Sequence, residues 1–115
     1  MAKKPTPEEI RKQREMEDIR RVRLPRGTEV MGLLVARLGG SRCRVIGTDG
    51  QERICRIPGR LKRSLWVREN DIVLIEPWEF GGDEKADIIF KYRPSQVKWL
   101  RRKGYLDDLE SMDDF

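Results

Sequence analysis

Seven side chains between positions 42 and 66 have types and spacing that could do chemistry: Arg42, Arg44, Arg56, Arg60, Lys62, Arg63 and Trp66. Cationic side chains neutralise phosphates and release the counterions condensed on a nucleic acid, which gives affinity without sequence choice. Arginine adds a planar, two-pronged donor that matches a phosphate. An indole offers a face on which an unpaired base stacks, worth about 1–3 kcal/mol per base. The plainer reading of six cations is a solvated surface. A tryptophan beside a loop more often plugs a core than carries a base, and Trp78, after Pro77 at a strand end, reads as core or hinge in the same way. The clustering of charge, more than any one ring, favours nucleic acid.

Other chemistries lack their parts. The chain has no histidine and two cysteines. Ser-His and Cys-His nucleophile pairs are therefore excluded, and two cysteines cannot supply the four ligands of a structural zinc site. There is no glycine-rich phosphate loop followed by Lys-Ser/Thr. Glu79, Asp83, Glu84 and Asp87 lack the spacing of a calcium loop and read as a solvated loop. The expectation is a binding protein with no enzymatic activity, cofactor or metal. Cys43 and Cys55 read as buried small hydrophobes in a reducing cytosol. They flank a hairpin turn at Asp49-Gly50. A two-residue turn sets Cys43 opposite Arg56, and a three-residue loop sets it opposite Cys55, so a disulfide depends on the register.

The elements that must position these residues are short strands. Glu29 to Leu38 is rich in Val, Leu and Met and ends at Gly39-Gly40. From Arg42 to Gly47 the chain alternates, with Arg42 and Arg44 on one side and Cys43 and Val45 on the other. Glu52 to Ile57 is a third strand, stopped by Pro58-Gly59; residues 60–71 connect it, with room for one helical turn, to a compact apolar run, Ile72 to Glu76. Lys85 to Lys91 is the fifth. Ser95 is placed to cap a helix reaching about Lys103, with Gly104 to end it and Val97 and Leu100 to dock it. Five strands with dense turns predict an all-β fold: a five-stranded OB barrel with an added C-terminal α-helix and flexible charged tails, an SH3-like barrel being the rival. In an OB barrel the face of strands two and three is the usual nucleic-acid platform, and such modules often read unpaired RNA.

Composition agrees with a small core and tails. The 115 residues are 37% hydrophobic and 39% charged, with a net charge of +5. Residues 1–24 read as a basic, flexible arm in which Thr6-Pro7-Glu8-Glu9 has the form of a capping box, 25–93 as the barrel, 94–106 as the C-terminal helix and 107–115 as an acidic tail. The apolar stripe of the arm is thin, so order there is expected on a partner. No apolar run could cross a bilayer and no apolar region follows the N-terminal lysines, which together predict a cytoplasmic monomer with no membrane contact.

These same residues resemble the archaeal translation initiation factor 1A family, of the S1-like OB folds. The similarity lies in Gly32 through Leu38-Gly39, Asp49-Gly50, Arg56-Ile57-Pro58-Gly59-Arg60, Trp66-Val67-Arg68, Asp71-Ile72-Val73-Leu74, Pro77-Trp78, Lys85-Ala86-Asp87-Ile88-Ile89 and Gln96-Val97-Lys98-Trp99-Leu100-Arg101-Arg102. It spans roughly residues 22–106. The resemblance implies binding to ribosomal RNA at the aminoacyl site of the small subunit, and through that, promotion of initiator tRNA and mRNA binding. By position it places Arg44, Arg56, Arg60, Lys62, Arg63 and Trp66 where the family contacts ribosomal RNA. Eukaryotic relatives carry a long acidic tail that touches the subunit-joining GTPase. Here the tail is about nine residues, and a solubilising role competes with that contact. The alternative function is a general single-stranded RNA chaperone of the cold-shock type. Such modules display aromatic residues on the platform strands, and strands two and three have none. A protein-interaction module with no RNA is a third possibility.

Overall fold

The computed structural model describes residues 4–110. Its strands are β1 Val30–Gly39, β2 Arg42–Gly47, β3 Glu52–Arg56, β4 Ile72–Pro77 and β5 Lys85–Lys91. They close into a barrel in the order β1-β2-β3-β5-β4, with every pairing antiparallel except β3 on β5. This is the OB fold. A single 3-10 turn, Gly59–Leu61, lies in the long connection between β3 and β4.

Turn chemistry fixes the register. Gly39 pairs with Arg42 and leaves Gly40 (φ 57°) and Ser41 (φ 62°) as a two-residue turn with both residues left-handed. That turn type carries the twist the flanking strands need. Between β2 and β3 the Gly47 N–H donates to the Gln51 carbonyl at 2.9 Å across Thr48-Asp49-Gly50. Of the two registers the sequence leaves open, the three-residue loop is the one adopted, and Cys43 faces Cys55. Both thiols are free and buried. Burial pushes the Cys43 thiol up and the Cys55 thiol up to about 12, so neither is a reactive thiolate near neutral pH.

The core has two layers, which β4 explains. Val73 and Ile75 face the barrel interior with Leu34, Cys43, Val45, Cys55, Val67, Ala86 and Ile88. Ile72 and Leu74 face outward, against Met31, Tyr92, Leu100, Leu106 and Leu109. A strand covered on both faces reads as an unbroken apolar run. The outer layer is roofed by α2, Pro94–Arg102, in which Leu100 is fully buried and Val97 packs at the margin.

The ends of α2 differ in part from expectation. Arg93, not Ser95, holds the N-cap position, and its N–H donates to Gln96 Oε1 at 2.9 Å. Pro94 takes the first helical position, which its fixed φ favours, and Ser95 Oγ donates to Asp18 at 2.9 Å. At the other end the Tyr105 N–H reaches the Leu100 carbonyl and the Gly104 N–H that of Arg101, which is the Schellman pattern. Residues 107–110, read from the sequence as the start of the acidic tail, form a short turn, α3, Asp107–Glu110, with Leu109 buried. The rest of that tail, 111–115, lies outside the described residues.

Pro7–Arg20 form helix α1, closed at its start by a capping box: Thr6 Oγ1 accepts from the Glu9 N–H at 3.2 Å, and Glu9 Oε2 accepts from the Thr6 N–H at 3.3 Å. No residue of α1 is buried. What attaches it is Asp18, whose carboxylate accepts from Arg93 Nη1 and Ser95 Oγ, both at 2.9 Å, and whose carbonyl accepts from Gln96 Nε2 at 2.7 Å.

Candidate nucleic-acid interface

Alternation on β2 and β3 sends Arg42, Arg44 and Arg56 outward while Cys43, Val45 and Cys55 fill the barrel. The three-residue loop sets Arg42 directly opposite Arg56 and Arg44 opposite Ile54. Two like charges in register repel across a sheet, and here Asp87 beside Arg56 offsets part of that repulsion. The β3–β4 connection then folds over the β1–β2 turn. Arg37, Arg42, Lys62 and Trp66 line a groove of about 230 Å³ between them, floored by Gly39 to Ser41 and by Ile57, Leu65 and Val67.

Trp66 corrects the expectation of a core plug, being 77% exposed. The reason is local: Leu65 and Val67 pack on the barrel core, so an extended segment turns the residue between them outward. Its backbone is pinned, since Lys91 Nζ donates to the Trp66 carbonyl at 3.0 Å and pairs with Asp71 at 3.3 Å. The indole thus stands open to solvent on a held backbone, lining the same groove as Arg37, Arg42 and Lys62, and an open ring is what a stacked base requires. Arg60 and Arg63 are exposed on the same connection but do not line the groove.

Carboxylates divide the cations into two groups. Arg44 pairs with Glu52 at 3.0 Å, and Arg56 with Asp87 at 3.5 Å. Both arginines are about half exposed, and surface pairs of this kind contribute about 0–1 kcal/mol, so both stay accessible to a phosphate. Among the described residues, Arg37, Arg42, Arg60, Lys62 and Arg63 have no carboxylate partner. On this face of the barrel the unpaired cations are therefore those of the groove and the connection.

Three features of this region were not read from the sequence. Arg37 joins the groove from β1. Phe80 is 86% exposed in the β4–β5 loop, and Trp78, at 38% exposed, is not core: its Nε1 donates to Asp87 Oδ1 at 2.9 Å, and the Arg56 guanidinium lies 5.2 Å from its ring centroid. Arg53, in contrast to its neighbours, is 6% exposed. It grips Asp49 with both Nη atoms at 3.1 and 2.7 Å and donates from Nε to the Gly82 carbonyl at 2.6 Å, tying the β2–β3 loop to the β4–β5 loop. Burial raises the Asp49 pKa, but the Arg53 hydrogen bonds and charge, with the Gln51 N–H, outweigh it and hold the carboxyl below its usual value. Trp99, undecided from the sequence, is half-buried, packed on the outer core and stacked on Tyr105 at 6.1 Å.

Sequence comparison decides the lineage of this barrel. The profile of the family Translation initiation factor 1A / IF-1 matches residues 19–113. The chain belongs to that family. Translation initiation factor 1A of Methanococcus maripaludis strain S2 is 55% identical over 89 residues, 76% of this chain and 86% of the relative. That of Methanothermobacter thermautotrophicus is 46% identical over 90 residues, 78% and 91% of the two chains. That of Archaeoglobus fulgidus is 45% identical over 92 residues, 78% and 94%. Among solved structures, the solution structure of translation initiation factor IF-1 from a Wolbachia endosymbiont of Brugia malayi aligns with a TM-score of 0.48 and 28% identity, over 61% of this chain and 83% of that one. Among the described residues no helix of this initiation-factor family member is long and apolar enough to cross a membrane.

Proposed function

We propose that this chain binds ribosomal RNA at the aminoacyl site of the small ribosomal subunit in the cytoplasm, and that by occupying this site it promotes initiator tRNA and mRNA binding during initiation. Membership of the initiation factor family supports the setting. The observation that carries the interface is the groove in which Arg37, Arg42, Lys62 and the exposed Trp66 converge without a neutralising carboxylate. In this reading Arg42 and Lys62 hold phosphates on either side of a splayed nucleotide, Trp66 stacks its base, and Arg44, Arg56, Arg60 and Arg63 extend the cationic track along the neighbouring backbone. Arginine and lysine fix register on the RNA, while the rings prefer unpaired bases. In this reading the acidic residues 107–115 make a separate contact with the subunit-joining GTPase.

The test is co-sedimentation with purified small subunits, with chemical footprinting of the decoding-site RNA. Protections at that site that vanish with Arg42→Ala plus Lys62→Ala support the reading. Protections that persist in the double variant place the interface elsewhere. Binding to unstructured oligonucleotides as tight as binding to subunits, with melting of short hairpins, would favour the general chaperone.

A further inference from the structure

Arg56 stands in a closed triangle with two groups that the RNA face does not otherwise employ. Asp87 is its register partner across the parallel β3–β5 pairing, and Trp78 follows β4. Trp78 Nε1 donates to Asp87 Oδ1 at 2.9 Å, the same oxygen lies 3.5 Å from Arg56 Nε, and the Arg56 guanidinium carbon lies 5.2 Å from the Trp78 ring centroid. Each contact restrains a different degree of freedom. The ring holds the guanidinium at its face, the carboxylate fixes its direction, and the indole N–H fixes the carboxylate.

The mount does not consume what it holds. The Arg56 guanidinium makes no hydrogen bond among the described residues, so its donors stay available although its charge is partly offset. Arg53 shows the opposite use, with Nε and both Nη atoms spent on Asp49 and Gly82. A structural arginine is buried and saturated; Arg56 is half exposed, stacked and unsaturated.

We propose that Trp78 and Asp87 are positioning residues for RNA binding, holding Arg56 as an oriented donor for one phosphate while offsetting its charge so that a randomly placed phosphate is not gripped. This rests on the functional reading above. Orienting the side chain in advance lowers the ordering cost that binding otherwise carries. A fixed carboxylate beside the guanidinium discriminates, because only a phosphate delivered at the correct place gains enough hydrogen bonding to offset the repulsion. Trp78 thereby acts as a support for a cation and not as a platform for a base.

The experiment compares two probes, purified small subunits and a 12-mer oligouridylate, on full-length chains. Asp87→Asn keeps shape and hydrogen bonding and removes the charge. It is expected to weaken subunit binding about tenfold, the equivalent of one charge-assisted hydrogen bond. The same change should tighten oligouridylate binding and steepen its salt dependence by up to about 0.7 in log–log slope, one additional phosphate. Trp78→Phe, which keeps the ring and the Asp87 charge but loses the N–H, should weaken subunit binding to a smaller extent and leave oligouridylate binding unchanged. In a chain already carrying Arg56→Lys, Asp87→Asn should cost subunit binding nothing further. Movement of the two probes in the same direction, or a full additional loss on the Arg56→Lys background, overturns the proposal. Equilibrium urea unfolding reports whether each variant is folded. If the unaltered chain fails to bind subunits, the functional reading and this inference fall together; if it binds and only the variants misbehave, this inference alone falls.

Discussion

Replacing Trp66 with alanine separates the two roles an isolated tryptophan can have. The side chain is 77% exposed, and the backbone around it is anchored by Leu65, Val67 and the Lys91 hydrogen bond to the Trp66 carbonyl, all of which survive the change. A surface substitution of this kind moves stability by about 0.5 kcal/mol or less. Truncating a buried tryptophan would instead cost about 3–5 kcal/mol. On RNA the loss is one base–indole stack, about 1–3 kcal/mol, which is roughly a 5- to 150-fold weaker complex. The indole is neutral, so the dependence of affinity on salt should keep its slope. Lys62→Ala, which removes a cation from the same groove, should lower that slope by about 0.7. Equilibrium urea unfolding gives the first quantity, and sedimentation with purified small subunits at three salt concentrations gives the other two. A large drop in the urea midpoint with unchanged subunit affinity would show that Trp66 stabilises the fold and does not contact RNA, and would refute the groove assignment.

Arg53→Met should destabilise the barrel by about 2 kcal/mol, below the 3–5 kcal/mol of a fully buried pair because Asp49 is partly exposed and can be rehydrated. Because the folded Asp49 carboxyl titrates below 3.8, its contribution is complete above that pH and disappears as pH falls through the folded value. The gap in urea midpoint between the parent chain and Arg53→Met should therefore be widest above pH 3.8 and shrink progressively as the pH is lowered below it. Asp18→Ala should leave the barrel's unfolding midpoint almost unchanged while tryptic cleavage at the arginines and lysine of α1 speeds up about tenfold, since no residue of α1 is fully buried and two side-chain bonds to Asp18 are lost. Gly32→Ala should cost about 1–3 kcal/mol by thermal denaturation, because a Cβ there would lie 2.5 Å from Val45 Cγ1 and 3.0 Å from the Ile46 carbonyl oxygen.

Most of the barrel is legible in the chain because period-two alternation and turn residues act locally. Arg42-Cys43-Arg44-Val45 and Ile72 to Ile75 state both their conformation and their faces. Register is less legible: Asp49-Gly50 marks a turn, but whether two or three residues form the loop is settled by the Gly47–Gln51 hydrogen bond and by the Arg53–Asp49 clamp. The exposure of Trp66 was present as a signal in Leu65-Trp66-Val67, which alternates as a strand does, and was obscured by the general habit of tryptophans. Trp78 lies two residues beyond the exposed Glu76, so the same alternation points it outward. Asp87 could be placed in its strand from sequence, but its proximity to Arg56 and Trp78 arises only from the parallel β3–β5 pairing, a long-range contact that no local pattern encodes.

That parallel pairing also shapes how the protein is made. Strand β3 finds its second neighbour only when Lys85, Ala86 and Asp87 have been synthesised, about thirty residues after Ile54, Cys55 and Arg56. Until then a nascent chain presents β3 as an open edge able to pair with a stranger. Glu52, Arg53 and Arg56 put charge at both ends of that edge, which guards an incomplete sheet against aggregation. The arginine that ends the strand thus protects the unfinished molecule before it takes up its place on the surface of the finished one.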